Sequence, residues 1–199
     1  MQIFNILDAD EINEFENPPQ FSYPQRKAFF EITIDLKAFT FSKSTPANDI
    51  GLVLQFGYFR ATGRFFKVTN FNETDIVYVC RKLKLERSVF NLKNYSSSTL
   101  SRHRQLILAG LGIKRFKGKA QELVITESKH LVTKQYNPES VFKSLCDFIR
   151  SHSIEVPSYN TLAMIITKSL KEFELQLTQK INLALNSQQK IQLDELLEL

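Results

Sequence analysis

Helix-start signatures recur along this chain and decide its fold class. Thr45-Pro46-Ala47-Asn48, Asn72-Glu73-Thr74-Asp75, Ser96-Ser97-Ser98-Thr99, Asn137-Pro138-Glu139 and Ser158-Tyr159-Asn160-Thr161 each set a hydroxyl or amide side chain where it can cap free backbone N–H groups. Apolar residues follow at three- and four-residue spacing: Leu52, Val53, Phe56 and Phe59; Ile76, Val79, Cys80 and Leu83; Val141, Leu145, Phe148 and Ile149; Leu162, Ile165 and Ile166. Ser22-Tyr23-Pro24 opens an earlier helical segment carrying Phe29, Phe30 and Ile32, and Ile34 to Phe39 reads as a second short one. Residues 86–95 read as a short helix and a turn, and a last segment, about 168–186, presents Leu170, Phe173, Leu177, Ile181 and Leu185. Leu123-Val124-Ile125-Thr126 resembles a strand but is short enough to be a helical turn. Six glycines and six prolines are too few for a many-turned β architecture. The expected fold is all-α: two small multi-helix subdomains of helix-turn-helix character. We expect an acidic lead over 1–20, a first subdomain over 21–119, a linker over 120–136 and a second subdomain over 137–199.

Charge is distributed along the chain in blocks. Residues 1–20 hold five acids and no base, 21–130 hold nineteen bases and eight acids, and 131–199 hold seven bases and eight acids, so the net +5 is the sum of −5, +11 and −1. Within the basic block, Arg81 to Lys119 sets eleven Lys and Arg residues against a single acid, Glu86. These cations bracket the Ser-rich helix start and resume beyond it as Lys114-Arg115-Phe116-Lys117-Gly118-Lys119. Open backbone N–H groups beside Ser98, Thr99 and Ser101, flanked by cations, suit a phosphate backbone. On a helical wheel Leu100, Ile107 and Leu111 fall together, while Ser98, Arg102, Gln105 and Ala109 face the other way. Arg102 and Gln105 are therefore the expected readers of base edges, and Lys114, Arg115, Lys117 and Lys119 the phosphate anchors. His103 and Arg104 sit nearer the buried side, where a structural role competes with DNA contact. Arg60, Arg64 and Lys67, after the helix starting at Thr45, are secondary phosphate candidates. Ser158, Tyr159, Asn160 and Thr161 open a candidate second recognition helix. The competing reading of the basic block is a solvated helical face without a partner.

Other chemistry finds little support. Three histidines (His103, His130, His152) and two cysteines (Cys80, Cys146) lie far apart in sequence, so no metal site is expected. Phosphate-binding glycine loops, dinucleotide fingerprints and Gly-x-Ser-x-Gly are absent. No enzyme active site, cofactor or small-molecule substrate is expected. Both cysteines read as buried free thiols in a reducing cytoplasm. The longest apolar run, Leu162 to Ile166, is far too short for a membrane span, and the N-terminus lacks a secretory signal. Five of the last nine residues are apolar (Ile191, Leu193, Leu196, Leu197, Leu199), a face that would fold back on this chain, pair with a partner or pack against a continuation of the chain, the last being the expected case.

An ordered series of segments resembles the N-terminal region of the Tn-three family of replicative transposases. It comprises Phe21-Ser22-Tyr23-Pro24-Gln25-Arg26-Lys27-Ala28-Phe29-Phe30, then Asn48 to Phe65, then the Ser/Thr-rich entry to Arg102-His103-Arg104 and Leu111-Gly112. Ile154-Glu155-Val156-Pro157-Ser158 and the closing Leu193-Asp194-Glu195-Leu196-Leu197 complete it. The resemblance covers nearly the whole chain. It implies sequence-specific binding of double-stranded DNA at transposon terminal inverted repeats, without the strand-transfer region, which in that family lies much further along. Partners so implied are transposon-end DNA and the rest of the transposase or a second copy, in a bacterial nucleoid. The alternatives are an assembly module of a transposition complex or a truncated repressor.

Overall fold

The computed structural model describes residues 4–32, 45–91, 93–186 and 188–189. The expected segment Ile34 to Phe39 and the closing run Ile191 to Leu199 lie outside them. Among the described residues the fold is all-α, with eight α-helices: α1 (Ala9–Glu16), α2 (Tyr23–Phe29), α3 (Pro46–Thr62), α4 (Glu73–Leu83), α5 (Ser97–Gly110), α6 (Lys119–Lys134), α7 (Pro138–Ser151) and α8 (Tyr159–Ala184). Two 3-10 turns, Val68–Asn70 and Arg87–Val89, complete the described elements.

Local chemistry starts the helices where the turn residues stand. Ser96 Oγ accepts from Thr99 N–H, Asn137 Oδ1 from Ser140 N–H and Ser158 Oγ from Thr161 N–H, each satisfying a donor that the helix itself cannot. Asp8 and Glu11 close a reciprocal capping box on α1. α5 ends in a Schellman motif: Gly112 adopts φ +64°, its N–H reaches Ala109 C=O, and Ile113 N–H reaches Leu108 C=O.

Two hydrophobic cores result. The first surrounds α3, which is buried almost all round and packs against α2, α4 and α5; Phe30, Tyr58, Phe66, Phe71, Phe90 and Tyr95 supply its aromatic mass. A buried polar knot ties these helices together. Asp75 accepts from Arg26 Nε at 2.6 Å, Tyr58 Oη at 2.9 Å and Asn72 Nδ2 at 3.3 Å. Burial and the neighbouring Asp75 carboxylate push the Tyr58 phenol strongly up, so it stays a donor. The second core is built from α6, α7 and α8. Cys80 is buried in the first core and Cys146 in the second, and both thiols are free.

Four points of organisation follow from the described helices. The segment 120–136 is no linker: it is almost wholly α6, which packs on α7 and α8 through Val124, Ser128 and Val132, spaced one turn apart. The strand-like run Leu123 to Thr126 is thus helical, since its face is completed by Ser128, whose hydroxyl bonds Ser169 at 3.0 Å. The acidic lead is structural too. Ile6 and Leu7 are buried in the second core, and Phe4 N–H donates to Thr167 Oγ1 at 3.1 Å. The chain therefore starts on the second core, builds the first and returns to the second between Ile113 and Phe116. The apolar spacing over 162–186 belongs to one helix, α8, not two.

Candidate functional site

α5 presents the stripe that its periodicity predicts. Ser98, Ser101, Arg102, Gln105 and Ala109 are exposed, while His103, Ile107 and Leu108 are buried against the first core. Leu111, placed on the buried face from sequence, is exposed because the Schellman turn carries Ile113 back to the core in its stead. His103 is a scaffold residue: its Nδ1 lies 2.9 Å from Tyr95 Oη, and burial, with the Arg102 charge, pushes it down to about 4. The imidazole is therefore neutral at pH 7. Arg104 pairs with Glu155, a carboxylate only 2% exposed, and its guanidinium lies over the Phe65 ring.

Electrostatically the α5 start is open. Its first turn contains no acid, its cap is a hydroxyl (Ser96 Oγ, with Ser98 Oγ at 2.9 Å and Thr99 Oγ1 at 3.0 Å), and no acid occurs between Glu86 and Glu122. The partial positive charge of the helix N-terminus thus faces solvent unopposed by a local carboxylate.

Lys114, Arg115, Lys117 and Lys119 all have exposed side chains, but they stand past the other end of a helix about 20 Å long. Their loop is also the seam between the cores. Lys114 pairs with the 153–155 segment as a single parallel bridge, its N–H to Ser153 C=O at 2.8 Å and its C=O from Glu155 N–H at 2.9 Å. Backbone anchoring at the seam leaves the cationic tips free to project.

The secondary candidates divide. Lys67 is exposed, and Arg60 is exposed but donates to Ala28 C=O at 3.3 Å and covers the Phe56 ring. Arg64 is corrected: at 5% exposure it is a core residue, its guanidinium 3.6 Å from the Phe15 ring centroid and 3.3 Å from Glu16. Burial lowers its pKa, opposed by Glu16. Tyr159 is corrected likewise, being buried with its Oη accepting from Ile6 N–H at 3.2 Å and Leu7 N–H at 3.4 Å. The start of α8 is moreover already served by an anion of this chain, since Tyr159 N–H donates to Glu16 Oε1 at 2.6 Å. That contact takes the place a phosphate would need for α8 to enter DNA by its first turn.

Lys67, Ser158, Asn160 and Thr161 nevertheless meet, lining one cleft of about 600 Å³ between the cores together with Arg104 and Phe116. Sequence reasoning missed Glu16, the residue that organises this cleft, because its partners Arg64 and Tyr159 are remote in the chain. Among the described residues no group of three His, Cys, Asp or Glu is placed to hold a metal, and no helix is long and apolar enough to cross a membrane.

Residues 6–169 match the family model described as "Domain of unknown function (DUF4158)". The match runs from Ile6, the first buried residue described, to the last buried turn of α8, and so takes in both cores. No match is found among curated proteins.

Proposed function

We propose that this chain, which belongs to the DUF4158 family, binds double-stranded DNA sequence-specifically through α5 and the basic seam loop. One observation carries the reading: an acid-free helix exposes Ser98, Ser101, Arg102 and Gln105 along one stripe and ends beside four exposed cations. A helix of this size fits the major groove, where Arg and Gln side chains can discriminate base edges. Lys114, Arg115, Lys117 and Lys119, displaced from the stripe by the helix length, would meet phosphates flanking the groove. The order of sequence segments supports transposon terminal inverted repeats as the target and a transposase N-terminal region as the setting. In this reading the chain recognises DNA and performs no strand transfer.

Selection of bound sequences from random duplex DNA tests it. The expected result is enrichment of one extended site, with affinity falling by a log–log salt slope of about 0.9 per phosphate neutralised. Binding indifferent to salt, or no enriched site, would sink it.

A second reading has its own observation. Beyond the second core α8 exposes Leu175, Leu177, Ile181 and Leu183, the last at 89%. Apolar residues exposed around the helix in this way favour an assembly role. Light scattering across concentrations separates the two: an oligomer that forms whether or not DNA is present supports assembly.

A further inference from the structure

Arg26 and Tyr23 of α2 meet Thr74, Asp75 and Tyr78 of α4, and a groove of about 740 Å³ opens between the two helices. Its apolar lining is Val77 and two tyrosine rings, Tyr23 and Tyr78, held edge to face at 6.1 Å and 80°. Tyr78 is half-buried and also packs against Phe30, whereas Tyr23, 69% exposed at the first position of its helix beside Pro24, keeps an open ring face. An aromatic ring so exposed contributes nothing to the core.

Three cations of the groove are likewise uncommitted. Glu73, its only acidic lining residue, is held bidentately by Arg87, with Nε at 2.6 Å and Nη2 at 2.7 Å. Arg26 is matched by Asp75. Lys27, Arg81 and Lys82 also line the groove, are exposed, and have no acidic partner among the described residues. An open aromatic face flanked by unmatched cations supplies the elements of a site for a nucleic-acid strand whose bases are free to stack.

We infer that this groove is a second nucleic-acid site, which takes an unpaired nucleotide with its base stacked on Tyr23 and its phosphates against Lys27, Arg81 and Lys82. Duplex DNA cannot use it this way along its length, because the faces of internal base pairs are covered by their neighbours. An acidic peptide would engage the cations but leave the ring unused. The groove shares no residue with the α5 surface, so either site can fail without the other.

Fluorescence anisotropy with three probes tests the inference: an oligothymidylate of about six nucleotides, an abasic chain of the same length, and a blunt duplex. The oligothymidylate should bind about tenfold more tightly than the abasic chain and should quench tyrosine emission, which no tryptophan masks in this protein. Tyr23→Ala removes an exposed ring, so folding should be unaffected; it should weaken oligothymidylate about tenfold and leave duplex binding unchanged. Arg81→Gln should weaken both single-stranded probes. Equal affinity for the abasic chain, indifference to Tyr23→Ala, or displacement of oligothymidylate by polyglutamate at equal charge would each overturn it. Weakened duplex binding in Lys117→Glu with oligothymidylate binding intact separates this site from the proposed duplex surface.

Discussion

Of the two glycines on α3, Gly57 is met by the Phe30 ring and Gly51 by that of Tyr95, Gly57 the more closely. A Cβ at Gly57 would stand 2.1 Å from Phe30 Cδ1, and Phe30 is fully buried with Tyr58 packed against it. Gly57→Ala should therefore cost about 1–3 kcal/mol, as overpacking does, and lower Tm by several degrees in a thermal melt. Gly112→Ala gives the contrast. Nothing lies within 4 Å of its Cβ, so only the strain of φ +64° remains, about 1 kcal/mol, and Asn should be tolerated there better than Ala. His103 offers a pH handle at the same scale. Its folded pKa is depressed to about 4, so between about pH 6.5 and 4 the unfolded chain binds more protons than the folded one. Stability should accordingly be complete above about pH 6.5 and decline as pH falls through this window. An NMR titration checks the cause directly: the His103 ring should stay neutral at pH 5.5, and Arg102→Gln should raise its pKa by removing a neighbouring positive charge.

At the scale of the element, α5 separates two kinds of contact by position. Arg102 lies mid-helix on the exposed stripe, whereas Lys117 lies in the seam loop. Charge reversal at Arg102 should flatten preference among duplex sequences, while Lys117→Glu should weaken all duplexes alike and reduce the salt slope by about one unit. Competition binding against a panel of duplexes at two salt concentrations reads both effects, and the reverse pattern would exchange their roles. What made α5 legible in the sequence was local: Ser96 caps, Gly112 stops, and the side chains between obey the helical period. The same locality made Asn137 and Ser158 readable as helix starts. α6 was obscured because its buried face includes a serine, whose hydroxyl is satisfied only by Ser169, on another helix and forty-one positions away. Arg64 and Tyr159 were misplaced for a related reason. Each carries a polar group that looks available until the remote partner arrives, Glu16 in one case and the Ile6 and Leu7 backbone in the other.

The whole molecule depends on how its two cores are joined, and polar contacts carry much of that join. Lys114 bridges to the 153–155 segment, Arg104 of α5 pairs with Glu155, and Glu16 of α1 reaches both Arg64 and the start of α8. The two ion pairs differ in kind from surface pairs, since Glu155 and Arg64 are each at least 95% buried and neither can recover water if its partner is lost. Arg104→Met should then cost on the order of 2–4 kcal/mol, less than a fully buried pair because Arg104 itself is 40% exposed. Most of that penalty is the stranded carboxylate, so adding Glu155→Gln should restore a large part of it, giving a coupling energy of roughly 1–3 kcal/mol in a double-mutant cycle. Hydrogen exchange followed by mass spectrometry adds the spatial test. In the native protein the amides of α3 and α7 should share one cooperative opening; in Arg104→Met they should open with distinct free energies, because the contact tying one core to the other is gone. Wild-type stability in Arg104→Met, or exchange that stays coincident in the two helices, would show that apolar contact across the seam suffices without the ion pair.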